Sequence, residues 1–421
     1  MNNLETFIIA GGKGTRFKKI SNKPKLLAKL NNTNLLRLIL KNLKKYNLNK
    51  ISIFVGKNFD YFKKYRRNKI KLIEEKKPLG TSGCLSLISK EKLKKDTLII
   101  FGDILFDIDF YKFYNFHKTN KSEISIFSHP SDHLFDSDII DVDANNRVKN
   151  IFFKPHKKKI ISNNLTMAGI FIVRSNLIKK IPKNKKQDFS KDFLKNCLKK
   201  KVRIYSYKSR EYCKDLGTSK RYLRVLNDFK KGIHKKLRFK NKLKAVFIDR
   251  DGVINVDQGP QKYSDPTNFL SGALGALRKL QKMKYLKILI TNQPAVAKGF
   301  ITIKGLQKSF KKLETTLANN SFFFDGIYYC PHHPQSGFKG ENKKFKINCS
   351  CRKPKPGLIL KAAKDLNIDL KKSFFIGDRI VDYRAARSAN VKPIILNKLD
   401  NKIVDYKFKN DLREAINLIK E

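Results

Sequence analysis

Two aspartates spaced two apart are the first sign of chemistry in this chain. Asp249 and Asp251 stand in the run Asp249-Arg250-Asp251-Gly252-Val253-Ile254-Asn255, immediately after the apolar stretch AVFI. The carboxyl end of a strand is where open α/β sheets hold their reactive groups. Two carboxylates placed there can face one crevice, one attacking a phosphoryl group and the other serving as general acid and base. Three further polar residues follow at the ends of predicted strands or the start of a helix: Thr291 after LKILI, Lys353 in CRKPKPG and Asp378 in FFIGDR. Singly, each reads as a solvated loop carboxylate or a surface lysine; in register, they describe a site.

A second cluster is Cys330-Pro331-His332-His333 with Cys349-Ser350-Cys351, in a stretch rich in Gly, Pro and Lys. Thiolates with an imidazole favour tetrahedral zinc, and the candidate ligands are Cys330, His332, Cys349 and Cys351. Six cysteines in 421 residues are too few for a disulfide framework, which leaves reduced free thiols in a loop as the competing reading. Closing the loop around a metal would order a segment with too few apolar residues to fold by burial. All the ligand positions are taken by protein, so the expected role is structural. Arg352 and Lys353 follow the last cysteine directly, so such a staple would aim Lys353.

In the first half, Ala10-Gly11-Gly12-Lys13-Gly14-Thr15-Arg16 follows the predicted strand TFIIA and leads toward a helix. Glycines in that place let main-chain N–H groups close around a polyphosphate, with Lys13 and Arg16 adding charge. A plain strand-to-helix turn would look the same in isolation. Further along, Pro24-Lys25-Leu26-Leu27 supplies a lysine and Pro78-Leu79-Gly80-Thr81-Ser82-Gly83 a second glycine loop. FGDILFDID places Asp103 at a strand end, and DLGTSKRY begins with Asp215.

These residues need a scaffold of alternating strands and helices, and each half has one. The first half reads as strand TFIIA, glycine loop GGKGTR, an apolar-periodic stretch from Thr33 to Tyr46, then strand ISIFVG. Further strands are predicted at TLIIFGD, SEISIFSH, AGIFIV and VRIYSY, before a helix from Ser219 to Lys230. The second half repeats the alternation with strands AVFID, LKILIT, GIYYC, SFFIG and KPIIL, and with helices such as Leu274 to Met283 and Pro356 to Leu366. Between them KGIHKKLRFKNKLK is polar, basic and without an apolar period. The expected organisation is two α/β domains, residues 1–230 and 244–421, joined by a basic linker over 231–243.

At 421 residues and 41% hydrophobic, the chain can build two cores. A formal net charge of +57 normally raises nucleic acid or an anionic membrane as partner. Here the lysines are spread over both halves among Asn and Ile, without the basic face or aromatic-interleaved patch that nucleic-acid binding needs. A codon bias toward AT-rich triplets is the preferred reading, and neither nucleic acid nor membrane is an expected partner. The chain does not open on a basic segment followed by a long apolar one, and no run of about 18 apolar residues occurs. The expected location is the cytoplasm; oligomeric state is not legible.

The run DRDGVIN, with Thr291, Lys353 and Gly377-Asp378, resembles the haloacid dehalogenase (HAD) superfamily over Lys244 to Leu396. The resemblance implies a Rossmann-like parallel sheet. It implies that Asp249 forms an aspartyl-phosphate, that Asp251 protonates the leaving oxygen and then activates water, and that Thr291 and Lys353 hold phosphoryl oxygens. Asn292 and Arg352 would contact substrate. Mg²⁺ would be held by Asp249, the main-chain carbonyl of Asp251, and Asp378, with Asp382 in support. CPHH with CxCRKPxPG, DRDGVINVD and TNQPAVAKG are similar to the D-glycero-D-manno-heptose 1,7-bisphosphate phosphatases and, less closely, to zinc-loop histidinol-phosphatases. The former carry Ser-Gly-Ile-Ala-Arg-Gly where this chain has Pro294-Ala295-Val296-Ala297-Lys298-Gly299.

Residues 5 to 230 resemble the sugar-1-phosphate nucleotidyltransferases, nearest to the heptose 1-phosphate guanylyltransferases. That implies a Rossmann-like, GT-A-like mixed sheet. Gly11, Gly12, Gly14 and Thr15 would cradle the nucleotide, Arg16 and Lys25 grip the triphosphate, and Asp103 and Asp215 hold a second Mg²⁺. Gly80, Thr81 and Gly83 would border the base and Gly169 the sugar, with the polar pair Lys191-Asp192 nearby. Many relatives have Glu-Lys-Pro where this chain has Phe153-Lys154-Pro155.

Together the two resemblances imply consecutive reactions. A phosphatase would remove the 7-phosphate of a heptose 1,7-bisphosphate, and a transferase would couple the resulting 1-phosphate to a nucleotide. GDP is the preferred nucleotide, because the HxGH signature of the ADP route is absent. One alternative couples another sugar 1-phosphate with a histidinol-phosphatase-like or other small-phosphomonoester phosphatase. Another is a non-catalytic basic binding protein, against which the intact aspartates, Thr291 and Lys353 argue.

Overall fold

The computed structural model describes all residues except 2–3, 13–16, 18–22, 58, 67–69, 90–92, 132–133, 157–159, 260–262, 264, 397–406 and 420–421. The chain is α/β and divides into two compact units. Unit 1 comprises Met1–His129, Ser137–Pro155 and Leu165–Phe239, and unit 2 comprises Pro130–Asp136, His156–Asn164 and Lys240–Glu421.

Unit 1 contains strands β1 (Leu4–Ile9), β2 (Lys29–Leu30), β3 (Thr33–Asn34), β4 (Ile51–Val55), β5 (Ile70–Glu74), β6 (Asp96–Phe101), β7 (Ile104–Asp107), β8 (Ile124–His129), β9 (Ile139–Val142), β10 (Val148–Phe152), β11 (Thr166–Arg174), β12 (Ile204–Lys208) and β13 (Tyr212–Asp215). The main sheet runs β10-β9-β11-β6-β1-β4-β5, with β8 on β11 and β12 on β8. It is mixed: β1 pairs in parallel with β4 and β6, whereas β11 runs antiparallel to β6. A small antiparallel ribbon, β13-β7, carries Asp215 opposite Ile104. Helices cover both faces of the main sheet, so its central strands β1, β4 and β6 are buried along almost their whole length. In β1, Phe7 and Ile9 join one core while Leu4 and Ile8 join the other.

The helix expected over Thr33–Tyr46 runs Leu35–Lys44, because Thr33 and Asn34 pair with Lys29 and Leu30 as a hairpin. Asn34 then caps the helix by accepting from Arg37 N at 3.0 Å. The loop expected at Gly80–Gly83 closes instead into one helical turn. Residues 231–239, expected within a linker, are ordered. Ile233–Lys236 is helical, and Arg210 donates to the carbonyls of Leu237 and Phe239, each at 3.2 Å. A helix this short shows no apolar period in sequence.

Unit 2 is built on β14 (Ala245–Ile248), β15 (Leu286–Asn292), β16 (Gly326–Cys330), β17 (Phe374–Gly377), β18 (Lys392–Ile395) and β19 (Lys407–Phe408). These form one sheet of order β16-β15-β14-β17-β18-β19, parallel at every pairing. Val246 and Ile248 face one core, Ala245 and Phe247 the other. From β14 the next strand in sequence lies on one side and β17 on the other, so the strand order reverses at the carboxyl end of β14. Ligands of open α/β sheets bind at such a switch point. Pro130–Asp136 and His156–Asn164 fold with this unit: Ser162 N donates to Thr315 Oγ1, which donates back to Ser162 O, both at 3.1 Å. Among the described residues no helix is long and apolar enough to cross a membrane.

Candidate active sites

In unit 2 the switch point gathers the expected residues. Asp249 leaves β14, Thr291 and Asn292 end β15, and Asp378 follows β17; Asp249, Thr291 and Asp378 are buried. Lys353 reaches them from the loop after the cysteine cluster and is only 3% exposed. Its Nζ lies 2.8 Å from Asp249 Oδ2 and 2.6 Å from Asp382 Oδ1, and it donates to the Ile290 carbonyl at 3.3 Å. Asn292 fixes the main chain of Lys353 twice: Oδ1 accepts from Lys353 N at 3.0 Å, and Nδ2 donates to Lys353 O at 3.1 Å.

The electrostatics follow from this crowding. Burial raises the pKa of Asp249; Lys353 pulls it back, and Asp382 and Asp378 push it further up. Burial would lower Lys353, but Asp249 and Asp382 hold its pKa above the ordinary lysine value. Asp378 is raised to about 6, first by burial and then by Asp382. Asp249, Asp378 and Asp382 place oxygens within 4.8 Å of one another. Three buried carboxylates against the Lys353 ammonium and the exposed Arg379 guanidinium, 3.7 Å from Asp378, still leave excess negative charge, which fits a hard divalent cation. Gly252, at φ +79°, abuts the Asp378 carboxylate so closely that a side chain there would collide with it.

Asp251 stands apart from that trio. Arg250, 1% exposed, holds Asp251 Oδ1 through Nε at 3.0 Å and Nη2 at 2.9 Å. Gln293 Nε2 donates both to Asp251 Oδ2 and to Thr291 Oγ1, at 2.9 Å each. Sequence reasoning missed Gln293 and Arg250. Their neighbours in the motifs TNQ and DRD were the signal, but a contact between positions 251 and 293 is not readable from spacing.

Cys330, His332, Cys349 and Cys351 converge, with ligand atoms within 4.8 Å of one another. The sulfurs lie 3.1 to 3.5 Å apart, and His332 Nδ1 is 3.3 Å from Cys351 Sγ. Zinc with Zn–S near 2.3 Å in tetrahedral geometry sets its sulfurs about 3.7 Å apart, so the donor set fits in type and spacing. The cysteines are free rather than bridged. Arg352 Nη1 donates to the His332 carbonyl at 3.3 Å, tying the cluster to the residue before Lys353.

In unit 1, Lys25 Nζ lies 3.6 Å from Asp103 Oδ2, just past β6. Loss of solvent raises the Asp103 pKa, Lys25 lowers it, and Asp215 raises it. The Asp103 carboxylate beside that of Asp215 suits a cation, although Arg221 Nη1 already holds Asp215 at 3.1 and 3.2 Å. Gly169, at φ +74°, packs where a Cβ would meet Ile104 Cδ1 at 2.5 Å. Thr81 Oγ1 donates to Asp188 Oδ2 at 3.1 Å and accepts from Phe189 N at 2.7 Å. Gly83 packs against Lys185 O. Gly12 is exposed, whereas Gly14, Thr15 and Arg16 lie outside the described residues.

Glu75 is the unit 1 residue that sequence reasoning missed. It is 6% exposed, its Oε1 accepts from Leu79 N, and its Oε2 lies against Gly11. One carboxylate thus joins the two glycine segments. Burial raises its pKa and the Leu79 and Gly80 N–H groups lower it. The signal was a carboxylate ending the apolar-rich stretch IKLIEE ahead of PLG.

Comparison with known proteins follows the division into units. A nucleotidyl transferase family model matches residues 5–232, and a HAD-hydrolase-like model matches residues 350–398. The chain is 40% identical over 162 residues to a D-glycero-beta-D-manno-heptose-1,7-bisphosphate 7-phosphatase of Pasteurella multocida, covering 38% of this chain and 85% of that one. The protein of the same name from Escherichia coli K12 is 41% identical over 152 residues, covering 36% and 78%. Among solved structures, HddC from Yersinia pseudotuberculosis matches with TM-score 0.46 and 23% identity, covering 53% of this chain and 99% of that one. The chain therefore belongs to the nucleotidyl transferase family through its first unit and to the heptose-bisphosphate phosphatase family of HAD-like hydrolases through its second.

Proposed function

We propose that this protein is a bifunctional enzyme of nucleotide-activated heptose synthesis, removing the 7-phosphate of a heptose 1,7-bisphosphate and transferring GMP from GTP to the heptose 1-phosphate. The observation that carries it is the buried Asp249–Lys353 pair at the switch point of a phosphatase-family sheet, on the same chain as a nucleotidyl transferase.

In the phosphatase, Asp249 attacks phosphorus and Asp251 gives its proton to the departing sugar oxygen. Lys353 and the Thr291 hydroxyl hold the phosphoryl oxygens as charge shifts onto them. Asp251, now ionised and steered by Arg250 and Gln293, takes a proton from water, which opens the aspartyl-phosphate. Asn292 and Arg352 border the substrate. Asp249, Asp378 and the Asp251 carbonyl would hold Mg²⁺, which would supply charge neutralisation for the phosphoryl group. Zinc on Cys330, His332, Cys349 and Cys351 supplies structure only.

In the transferase, an oxygen of the sugar 1-phosphate displaces pyrophosphate from the α-phosphorus of GTP, so positioning and charge neutralisation suffice. Lys25 and Arg16 neutralise the triphosphate. Gly11, Gly12, Gly14 and Thr15 approach its phosphates, Gly80, Thr81 and Gly83 border the base, and Gly169 the sugar. Asp103 and Asp215 hold the cation there. This reading puts the protein in the cytoplasm, with sugar phosphates and a nucleoside triphosphate as partners.

The test separates the two reactions. Asp249→Asn should abolish phosphate release from the bisphosphate and leave pyrophosphate release from GTP with heptose 1-phosphate intact, and Asp103→Asn should do the reverse. Loss of both activities in either variant contradicts independent sites.

A further inference from the structure

At the end of the unit 1 sheet away from Gly11 and Asp103 lies a cavity of about 510 Å³. Asp96 begins β6 and Arg174 ends β11, its antiparallel neighbour, so the two are paired across the ladder. Tyr114 and His117 reach the same place from the helix Phe110–Thr119. Asp103 follows the opposite end of β6, roughly 20 Å away at about 3.3 Å per residue.

The floor of this cavity is polar and buried: Asp96 is 3% exposed and His117 1%. Tyr114 Oη donates to Asp96 Oδ2 at 3.1 Å, and His117 Nδ1 shares a hydrogen bond with Ser125 Oγ at 2.9 Å. Asp96 Oδ1 lies 3.5 Å from His117 Nε2 and 3.9 Å from Arg174 Nε. All three atoms are buried and none makes a hydrogen bond. Asp96 thus answers His117 and Arg174 by charge and not by hydrogen bonds, and polar groups left short of hydrogen bonds at one spot mark a place where a polar ligand would be stabilised.

Charge selects the ligand. Lys95, Lys118 and Lys121 line the cavity with Arg174, and Asp96 is the sole acid among its described lining residues. Bare phosphate would satisfy the lysines but meet Asp96 as a like charge; a neutral sugar would satisfy Asp96 and leave the lysines unused. We propose that this pocket binds a phosphorylated polyol, with its hydroxyls at the end of the cavity lined by Asp96, His117 and Arg174 and its phosphate held by Lys95, Lys118 and Lys121. Volumes of this size suit such a ligand. The pocket shares no lining residue with either candidate active site, and its occupancy does not depend on the reactions proposed for them.

The test uses the full chain carrying Asp103→Asn and Asp249→Asn, titrated calorimetrically at about 150 mM salt to damp non-specific attraction. The probes are fructose 1,6-bisphosphate, inorganic phosphate and fructose. Lys118 and Lys121 are exposed, so their reversal leaves the fold intact. Lys118→Glu with Lys121→Glu should weaken fructose 1,6-bisphosphate about tenfold or more, whereas Lys41→Glu with Lys44→Glu, the same charge change elsewhere, should weaken it less than about twofold. Asp96→Asn, confirmed folded by its thermal transition, should reduce the preference for fructose 1,6-bisphosphate over inorganic phosphate. Equal weakening by the two reversal pairs, absence of saturable binding, or an unchanged preference in folded Asp96→Asn overturns the proposal.

Discussion

Lys353 Nζ and Asp249 Oδ2 are 2.8 Å apart, both side chains almost wholly removed from solvent. The lysine proposed to receive phosphate is therefore also the counter-ion of the proposed nucleophile. Removing it leaves Asp249 and Asp382 buried without compensation, a change that typically costs about 3–5 kcal/mol. Lys353→Met should abolish phosphate release and destabilise unit 2 by that amount in denaturant titrations. Adding Asp382→Asn should recover part of the stability and none of the activity. Unaltered stability in Lys353→Met would show that the pair is not the counter-charge it resembles.

Gly80 sits at φ +79°, and a Cβ there would meet the Gln187 carbonyl oxygen at 2.5 Å. Both the left-handed backbone and the close approach exclude a side chain. Gly80→Ala should cost about 1–3 kcal/mol of unit 1 stability and raise KM for the nucleotide. Phosphate release should be unchanged. Steady-state kinetics of both reactions on one preparation checks this.

The cysteine cluster predicts about one zinc per chain by metal analysis. Cys349→Ser should lower the stability of unit 2 while leaving unit 1 unaffected, and it should slow phosphate release because Arg352 and Lys353 follow the ligands directly. Chelation of the wild type, followed by replenishment with Mg²⁺ alone, should have the same effect. Metal analysis free of zinc, with unit 2 still stable, would remove the staple.

Glu211 gives unit 1 a pH dependence. Burial pushes its pKa from an ordinary 4.5 to about 7, against hydrogen bonds from Phe239 N, Ser209 and Asp109 N. Between those values the folded state holds a proton that the unfolded chain has lost, so this group makes stability fall as pH rises. The fall is about 3 kcal/mol from below 4.5 to above 7. Glu211→Gln should remove that slope: relative to wild type, the variant should gain stability between pH 5 and pH 8. A stability difference constant across that range contradicts the assignment.

Much of this was legible in the sequence for local reasons. The helix expected over Ser219–Lys230 spans those residues, and the structure shows Thr218 capping it; β16 is the run GIYYC. The phosphatase motifs sit at strand ends, so reading the strands located Asp249, Thr291 and Asp378. Glu75, Gln293 and Arg250 escaped because their importance lies in partners that only the folded sheet brings near. Residues 231–239 escaped for a related reason: Arg238 is held by Asp107, at 2.6 Å, across more than a hundred positions of chain.

The most direct measurement is to incubate the protein with Mg²⁺, GTP and D-glycero-α-D-manno-heptose 1,7-bisphosphate, following phosphate, pyrophosphate and nucleotide-sugar by mass spectrometry. The account predicts GDP-heptose lacking the 7-phosphate, with phosphate and pyrophosphate released together. Phosphate without pyrophosphate would contradict the coupling of the two sites, and release of neither, with the β-anomer failing as well, would contradict the heptose assignment itself.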